Sequence, residues 1–201
     1  VAILIASTFL CSLCTFVQSY WNQSVQQEIA AYGDWDAQLL EIHAGQLDLI
    51  RNNENIQSIM VKGDNQTALL PTASGLPYLL IQNCDGAYWG GMREKNLILR
   101  GRVPQALGEI VVGKSFFEQN PSVEIGDRLN LDLGERRIGT TTVDFLSPIQ
   151  SGEEFVKTEK MQYTIVGEID MTVSSAYNGY PAYGWLDTAT LSEDTGIVAY
   201  L

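Results

Sequence analysis

The chain has 201 residues, 12 of them Lys or Arg and 24 Asp or Glu, giving a formal charge of −12 with a single His. That length allows one or two domains and a sizeable core, and 45% hydrophobic against 18% charged residues argues against a disordered chain or a coiled coil. The acidic balance disfavours nucleic acid as a partner, because phosphate recognition needs clustered Lys and Arg, and one His with three Cys leaves little material for a zinc site.

No charged residue precedes Glu28. Val1 to Val17 reads VAILIASTFLCSLCTFV, slightly short of the about 20 apolar residues that cross a bilayer. The chain starts at Val without a Met and ends in an apolar stretch with no stop signal, so the reading expects a longer protein. On that reading the first segment is the outer part of a transmembrane helix. Tyr20 and Trp21 follow as membrane-interface anchors, since such rings favour the boundary between lipid and water. A signal peptide and a buried core helix are the alternatives; the first would need a basic start and a small-residue cleavage site. Cys11 and Cys14 have C-x-x-C spacing, but inside an apolar run they read as small helix residues and not as a redox pair. Cys84, alone in the polar part, has no partner there for an intrachain disulfide. Trp21, Val25 and Ile29 recur every four residues, so the helix continues about three turns into water as a stalk. Tyr32-Gly33-Asp34 stops it.

The soluble part begins with a strand over Asp36–His43, a helix over Gly45–Asn52 and a strand over Ile56–Val61 closed by Lys62-Gly63-Asp64, a β-α-β start. Leu79–Ile81 and Leu97–Leu99 are short strands, with Asn83-Cys84-Asp85-Gly86 a loop between them. Glu109–Val112 reads as a buried strand and Lys114–Gln119 as a short helix closed by Asn120-Pro121. Ile125-Gly126-Asp127 is a turn, and Leu129, Leu131 and Leu133 alternate with polar residues as a half-buried strand does. Arg137–Phe145 is a further strand and polar Ser147–Glu159 a loop. Met161–Ile169 is a strand, Ser174–Trp185 a Tyr- and Gly-rich loop, and Ala182–Leu186 and Ile197–Leu201 are the last strands. Strands outnumber helices, arriving as a β-α-β piece and then mostly β. This predicts an α+β fold carrying a β-rich subdomain.

Gly108 to Ser115 fits the P-loop expression G-x-x-x-x-G-K-[ST], but its middle residues Ile110, Val111 and Val112 are β-branched and resist loop geometry, and Pro104 stands where the preceding strand should be. His43, the one imidazole, has no identifiable Ser or Cys partner. The acidic residues single out no pair for glycoside cleavage. The aromatic loops make the stronger candidate surface. Tyr177, Tyr180, Tyr183 and Trp185 lie among glycines and a proline, and Tyr88 and Trp89 form a smaller set. Such rings offer contact area at low entropy cost; the alternative is that they cover the subdomain as ordinary packing.

Five strings then occur in a telling order: YGDWDAQ (Tyr32–Gln38), LRGRVP (Leu99–Pro104), GEIVVGKSFFEQ (Gly108–Gln119), VEIGDRLNL (Val123–Leu131) and YTIVGEID (Tyr163–Asp170). Taken together after an apolar helix, they resemble the MacB-like extracytoplasmic (periplasmic core) domain of FtsX-like ABC transporter permeases. The resemblance implies a first membrane span and stalk over residues 1–31, an α+β subdomain over 32–98 plus 183–201, and an inserted β-rich subdomain over 99–182. It implies a domain outside the cell membrane, with no catalytic residue and no cofactor. The partners would be a cytoplasmic ATPase subunit that hydrolyses ATP, a second permease copy or homologue, and a peptide, lipoprotein or cell-wall-enzyme partner outside. The domain would pass ATP-driven motion across the membrane. Two rival readings fit the same sequence: a secreted or membrane-anchored cell-wall-acting hydrolase, and a passive extracellular binding module.

Overall fold

A strand sends successive side chains to opposite faces, and in six strands the residues of one face meet in a shared interior. The computed structural model describes residues 2–70, 76–145, 147–171 and 179–201. A long helix α1 (Ala2–Tyr32) leads into β1 (Gln38–His43), α2 (Leu47–Arg51), β2 (Met60–Leu69), β3 (Tyr78–Cys84) and α3 (Gly86–Gly91). There follow β4 (Ile98–Gly101), β5 (Glu109–Gly113), α4 (Lys114–Gln119), β6 (Arg128–Ile138), β7 (Thr141–Thr142), β8 (Glu154–Ile169), β9 (Gly179–Trp185) and β10 (Gly196–Tyr200). The strands form one hydrogen-bonded path, β1-β10-β2-β3-β9-β5-β8-β6-β7, with β4 on β8. Mixed α and β structure with strands dominant agrees with the expected α+β class.

Strand β2 shares one edge between two neighbours. Met60–Gly63 pair with β10, whereas Thr67–Leu69 pair with β6, and the other edge pairs with β3. The β2–β6 pairing closes β2-β3-β9-β5-β8-β6 into a ring. Its interior takes the inward residues of each strand: Ala68, Leu79 and Ile81, Tyr180 and Ala182, Ile110 and Val112, Tyr163 and Ile165, Leu131 and Leu133. Helix α4 follows β5 directly and adds Phe116 and Phe117 to the same core. At about 1.5–3 kcal/mol for each large apolar side chain buried, this interior is the main source of stability. The expected boundary between residues 182 and 183 falls inside β9, which hydrogen-bonds to β3 on one side and β5 on the other.

Several expectations need correction. The strand predicted to end at Lys62-Gly63-Asp64 runs on to Leu69, because β10 and then β6 supply the ladder. Asn83 and Cys84 end β3, and Asp85 caps α3 by accepting from the Tyr88 amide at 2.8 Å. The Arg137–Phe145 strand reduces to the end of β6, a turn and two-residue β7. Only the first part of polar Ser147–Glu159 is loop: Glu154 onward belongs to β8, paired to β6 from its first residue. That half of β8 is mostly exposed, which explains its polar sequence. Most of the Tyr- and Gly-rich loop is likewise the central strand β9. Its Pro181 lies beyond the β5 ladder, which reaches only Ala182–Gly184.

The apolar start also departs from expectation. Among the described residues, no helix is long and apolar enough to cross a membrane. The reading of a core helix fits no better over Cys11–Tyr20, where every residue is exposed.

Arg136 holds the loop between β7 and β8. Its side chain is 1% exposed and that of Glu153 2%. Nε and Nη2 donate to the two carboxylate oxygens at 2.7 and 2.9 Å. Nη1 donates to the carbonyl of Ser147 at 2.8 Å and Nη2 to that of Pro148 at 3.2 Å. The Tyr78 ring covers the guanidinium at 5.3 Å, and its hydroxyl donates to Glu153. The Arg136 hydrogen bonds hold the Glu153 carboxyl below its usual range, so this pair contributes stability above about pH 4.5, lost as pH falls below it. Arg136→Ala should lower the unfolding free energy by about 3–5 kcal/mol in urea titrations. The double replacement Arg136→Met with Glu153→Leu should cost clearly less, because no unpaired charge stays behind.

Candidate functional site

Four of the six aromatic residues singled out as contacts, Tyr88, Trp89, Tyr180 and Tyr183, fall into the protein's interior, not onto one exposed surface. Tyr88 and Trp89 on α3, Tyr183 on β9 and Tyr200 on β10 are buried together with Met60, Cys84 and Met92 on the outer wall of the ring. Trp89 meets Tyr183 edge-on at 5.9 Å, and Tyr88 meets Tyr200 at 5.9 Å, a geometry that suits the ring quadrupoles. Tyr180 is inside the ring against Phe116 at 5.3 Å, and its hydroxyl accepts from the Leu76 amide. The contact reading is therefore corrected for Tyr88, Trp89, Tyr180 and Tyr183: an alternating strand sends Tyr180 and Tyr183 to opposite faces, and both faces of β9 are covered. Trp185 is half-buried and Tyr177 lies outside the described residues. The signal that could have placed the rings was the alternation in Gly179–Trp185, masked by its glycines and proline.

Burial raises the Tyr88, Tyr183 and Tyr200 hydroxyls and the Cys84 thiol above their usual ranges. These groups stay protonated near neutral pH and supply neither base nor nucleophile. Glu94 is buried beside them, and neither its Oε2 nor the Trp89 indole nitrogen finds a partner among the described residues. His43 is exposed at the end of β1, its Nδ1 3.1 Å from the Asp194 carbonyl. Among the described residues no three His, Cys, Asp or Glu side chains group as metal ligands.

The same aromatic wall anchors the long helix. The Asp34 amide donates to the Gly91 carbonyl at 3.1 Å, and Arg93 donates to the Ala31 carbonyl at 3.1 Å. The Trp35 indole donates to the Tyr32 carbonyl at 3.0 Å, while its ring meets Tyr200 at 5.4 Å. Away from this joint the described side chains, from Cys11 on, are mostly exposed. Phe16, Tyr20 and Trp21 are 68%, 66% and 69% exposed. A groove of about 610 Å³ opens at the foot, lined by Trp21, Val25, Ile29, Tyr32 and Trp35. A smaller pocket of about 190 Å³ lies on the outer ring wall between Leu80, Gln82, Phe145, Met171, Pro181 and Tyr183.

The ordered motifs have structural reasons. In LRGRVP, Arg100 pairs with Glu168 at 2.5 Å and Arg102 grips both oxygens of Glu109 at 2.5 and 2.7 Å. Gly101 between them has φ +78°, and a Cβ there would stand 2.3 Å from the Val166 carbonyl oxygen. Only glycine lets β4 lie this close to β8. The P-loop look-alike is strand β5 followed by α4, with Ile110, Val111 and Val112 fully buried, so its amides are engaged in the sheet and cradle no phosphate.

No family model and no curated protein matches the chain. Among solved structures it is similar to the extracellular domain of the noncanonic ABC-type transporter YknZ from Gram-positive bacteria, at 8% identity and a TM-score of 0.47, over 80% of this chain and 73% of that one. It is also similar to the periplasmic region of MacB from Actinobacillus actinomycetemcomitans, at 10% identity and a TM-score of 0.45, over 81% of this chain and 65% of that one.

The hydrogen bonds from Arg102 pull the Glu109 carboxyl down to about 2. A lowered folded-state value contributes stability that is present above the unfolded value near 4.5 and lost as pH falls toward about 2. Glu109→Gln should therefore lower the melting temperature at pH 7 and leave a shallower loss of stability between pH 4.5 and 2, read by thermal scans across that range.

Proposed function

We propose that the chain is a non-catalytic extracytoplasmic domain of a MacB-like, FtsX-like ABC transporter permease. It binds a substrate or partner outside the membrane and passes on motion driven by a cytoplasmic ATPase. The observation that carries this reading is helix α1. It enters the domain through a fixed joint, yet Leu13, Phe16, Val17, Tyr20 and Trp21 face outward, continuing a start that has no charge before Glu28. Water is a poor solvent for that surface, whereas a bilayer and its interface suit it. The ordered motifs support the same reading, because their residues build β5 with α4, the start of β6 and the end of β8, and the Arg-Gly-Arg string fastens β4 to β8.

On this reading Tyr20 and Trp21 mark the membrane interface, residues 1–31 are the end of a span and its stalk, and the inserted part, 99–182, supplies β5, β6, β8 and part of β9 to a ring that β2 and β3 complete. Among the predicted contact rings, half-buried Trp185 is the one described residue left for a partner.

Sidedness tests the proposal. Exposed Ser151, replaced by Cys in a full-length protein whose Cys11, Cys14 and Cys84 are Ala, should react with a membrane-impermeant maleimide in intact cells. The protein should also stay with the membrane in alkaline carbonate. Labelling only after lysis, or release by carbonate, would overturn the assignment.

A further inference from the structure

In a chain with twice as many acids as bases, free guanidinium is scarce. Among the described residues six of the seven arginines are engaged: Arg51 with Asp48, Arg93 with the Ala31 carbonyl, Arg100 with Glu168, Arg102 with Glu109, Arg136 with Glu153 and Arg137 with Glu135. The seventh, Arg128, is exposed at the first position of β6 and has no partner among the described residues. The adjacent acid does not neutralise it at short range: Asp127 Oδ2 accepts from the Glu124 amide at 2.8 Å.

Arg128 lines a pocket of about 280 Å³ at the α4 end of the ring. Leu70, Phe116 and Leu129 give it an apolar wall, and Asn120 and Asn130 add amides. Leu70 and Leu129 are only half-buried and pack against the interior core, so the cavity reaches from the surface to apolar packing. The Asn120 and Asn130 side chains are each held in place, the first donating to the Phe116 carbonyl and the second accepting from Gln162.

We infer that this pocket binds a small amphiphilic carboxylate of the acyl class. The carboxylate meets Arg128, whose planar fork matches two oxygens, and the tail enters between Leu70, Phe116 and Leu129. A cavity below the about 300–1,000 Å³ of most ligand sites takes a short tail. The site is independent of the transporter reading and would stand if that reading failed.

Isothermal titration of the chain with butyrate, hexanoate and octanoate tests it. Affinity should rise about three- to fourfold for each added methylene and fall about tenfold or more in Arg128→Gln. Val123→Phe, which fills the same pocket, should abolish octanoate binding while Arg128 remains. Equal binding of octanoate and octanol, undiminished binding to Arg128→Gln, or no binding at all would overturn the inference. A Leu-terminated peptide acid that binds more tightly than octanoate, while its amide does not, would overturn the acyl assignment in favour of a peptide C-terminus.

Discussion

The fold depends on three residues of β2 turning away from β10 and toward β6. Thr67, Ala68 and Leu69 stand opposite Gly134, Leu133 and Asp132 in an antiparallel ladder, and without it the six strands would form an open sheet with an apolar face in water. Closure satisfies that edge of β2 and gives thirteen buried residues a common interior. It also produces the second core. Once the ring is shut, the outward residues Val111, Val166 and Tyr183 need cover, and α3, with Tyr88 and Trp89, supplies it. The joint with α1 is built on that cover, so the helix takes its position from the ring through two layers of packing.

Much of this was legible in the amino-acid order where a segment meets one kind of surroundings. Buried strand Glu109–Val112, helix Lys114–Gln119, the turn at Gly126 and the alternation from Leu129 to Leu133 all have one dominant pattern, and they form as read. Readings failed where one strand serves two settings. β8 is exposed over Glu154–Lys160 and buried beyond Tyr163, so its polar half looked like loop. β9 is covered on both faces while holding two glycines and a proline at close approaches to its neighbours, which is the composition of a turn. The pairing that sorts these cases lies tens of residues away and leaves no local trace.

The candidate site shows the same division. That Tyr and Trp cluster near Tyr88 and Tyr183 was readable; that they face inward was not, because exposure depends on what the chain lays over them. Conversely, neither Arg128 nor the buried Arg136–Glu153 pair stood out in sequence. Each is an ordinary Arg in a polar setting, distinguished only by the presence or absence of a carboxylate brought from elsewhere by the fold. The paired Arg100 and Arg102 explain why a short Arg-Gly-Arg string is so informative: two bridges to β8 and β5 flank the one residue that permits their approach.

Helix α1 has 31 residues, and at 1.5 Å per residue it is roughly 45 Å long. Its last turn is attached to the domain through hydrogen bonds at Ala31, Tyr32 and Asp34. Such a lever amplifies: a tilt of about 10° at its foot swings the far tip by roughly 8 Å. Any change in how Trp35 packs on Tyr200, or Arg93 on the last turn, would be multiplied by that length alone.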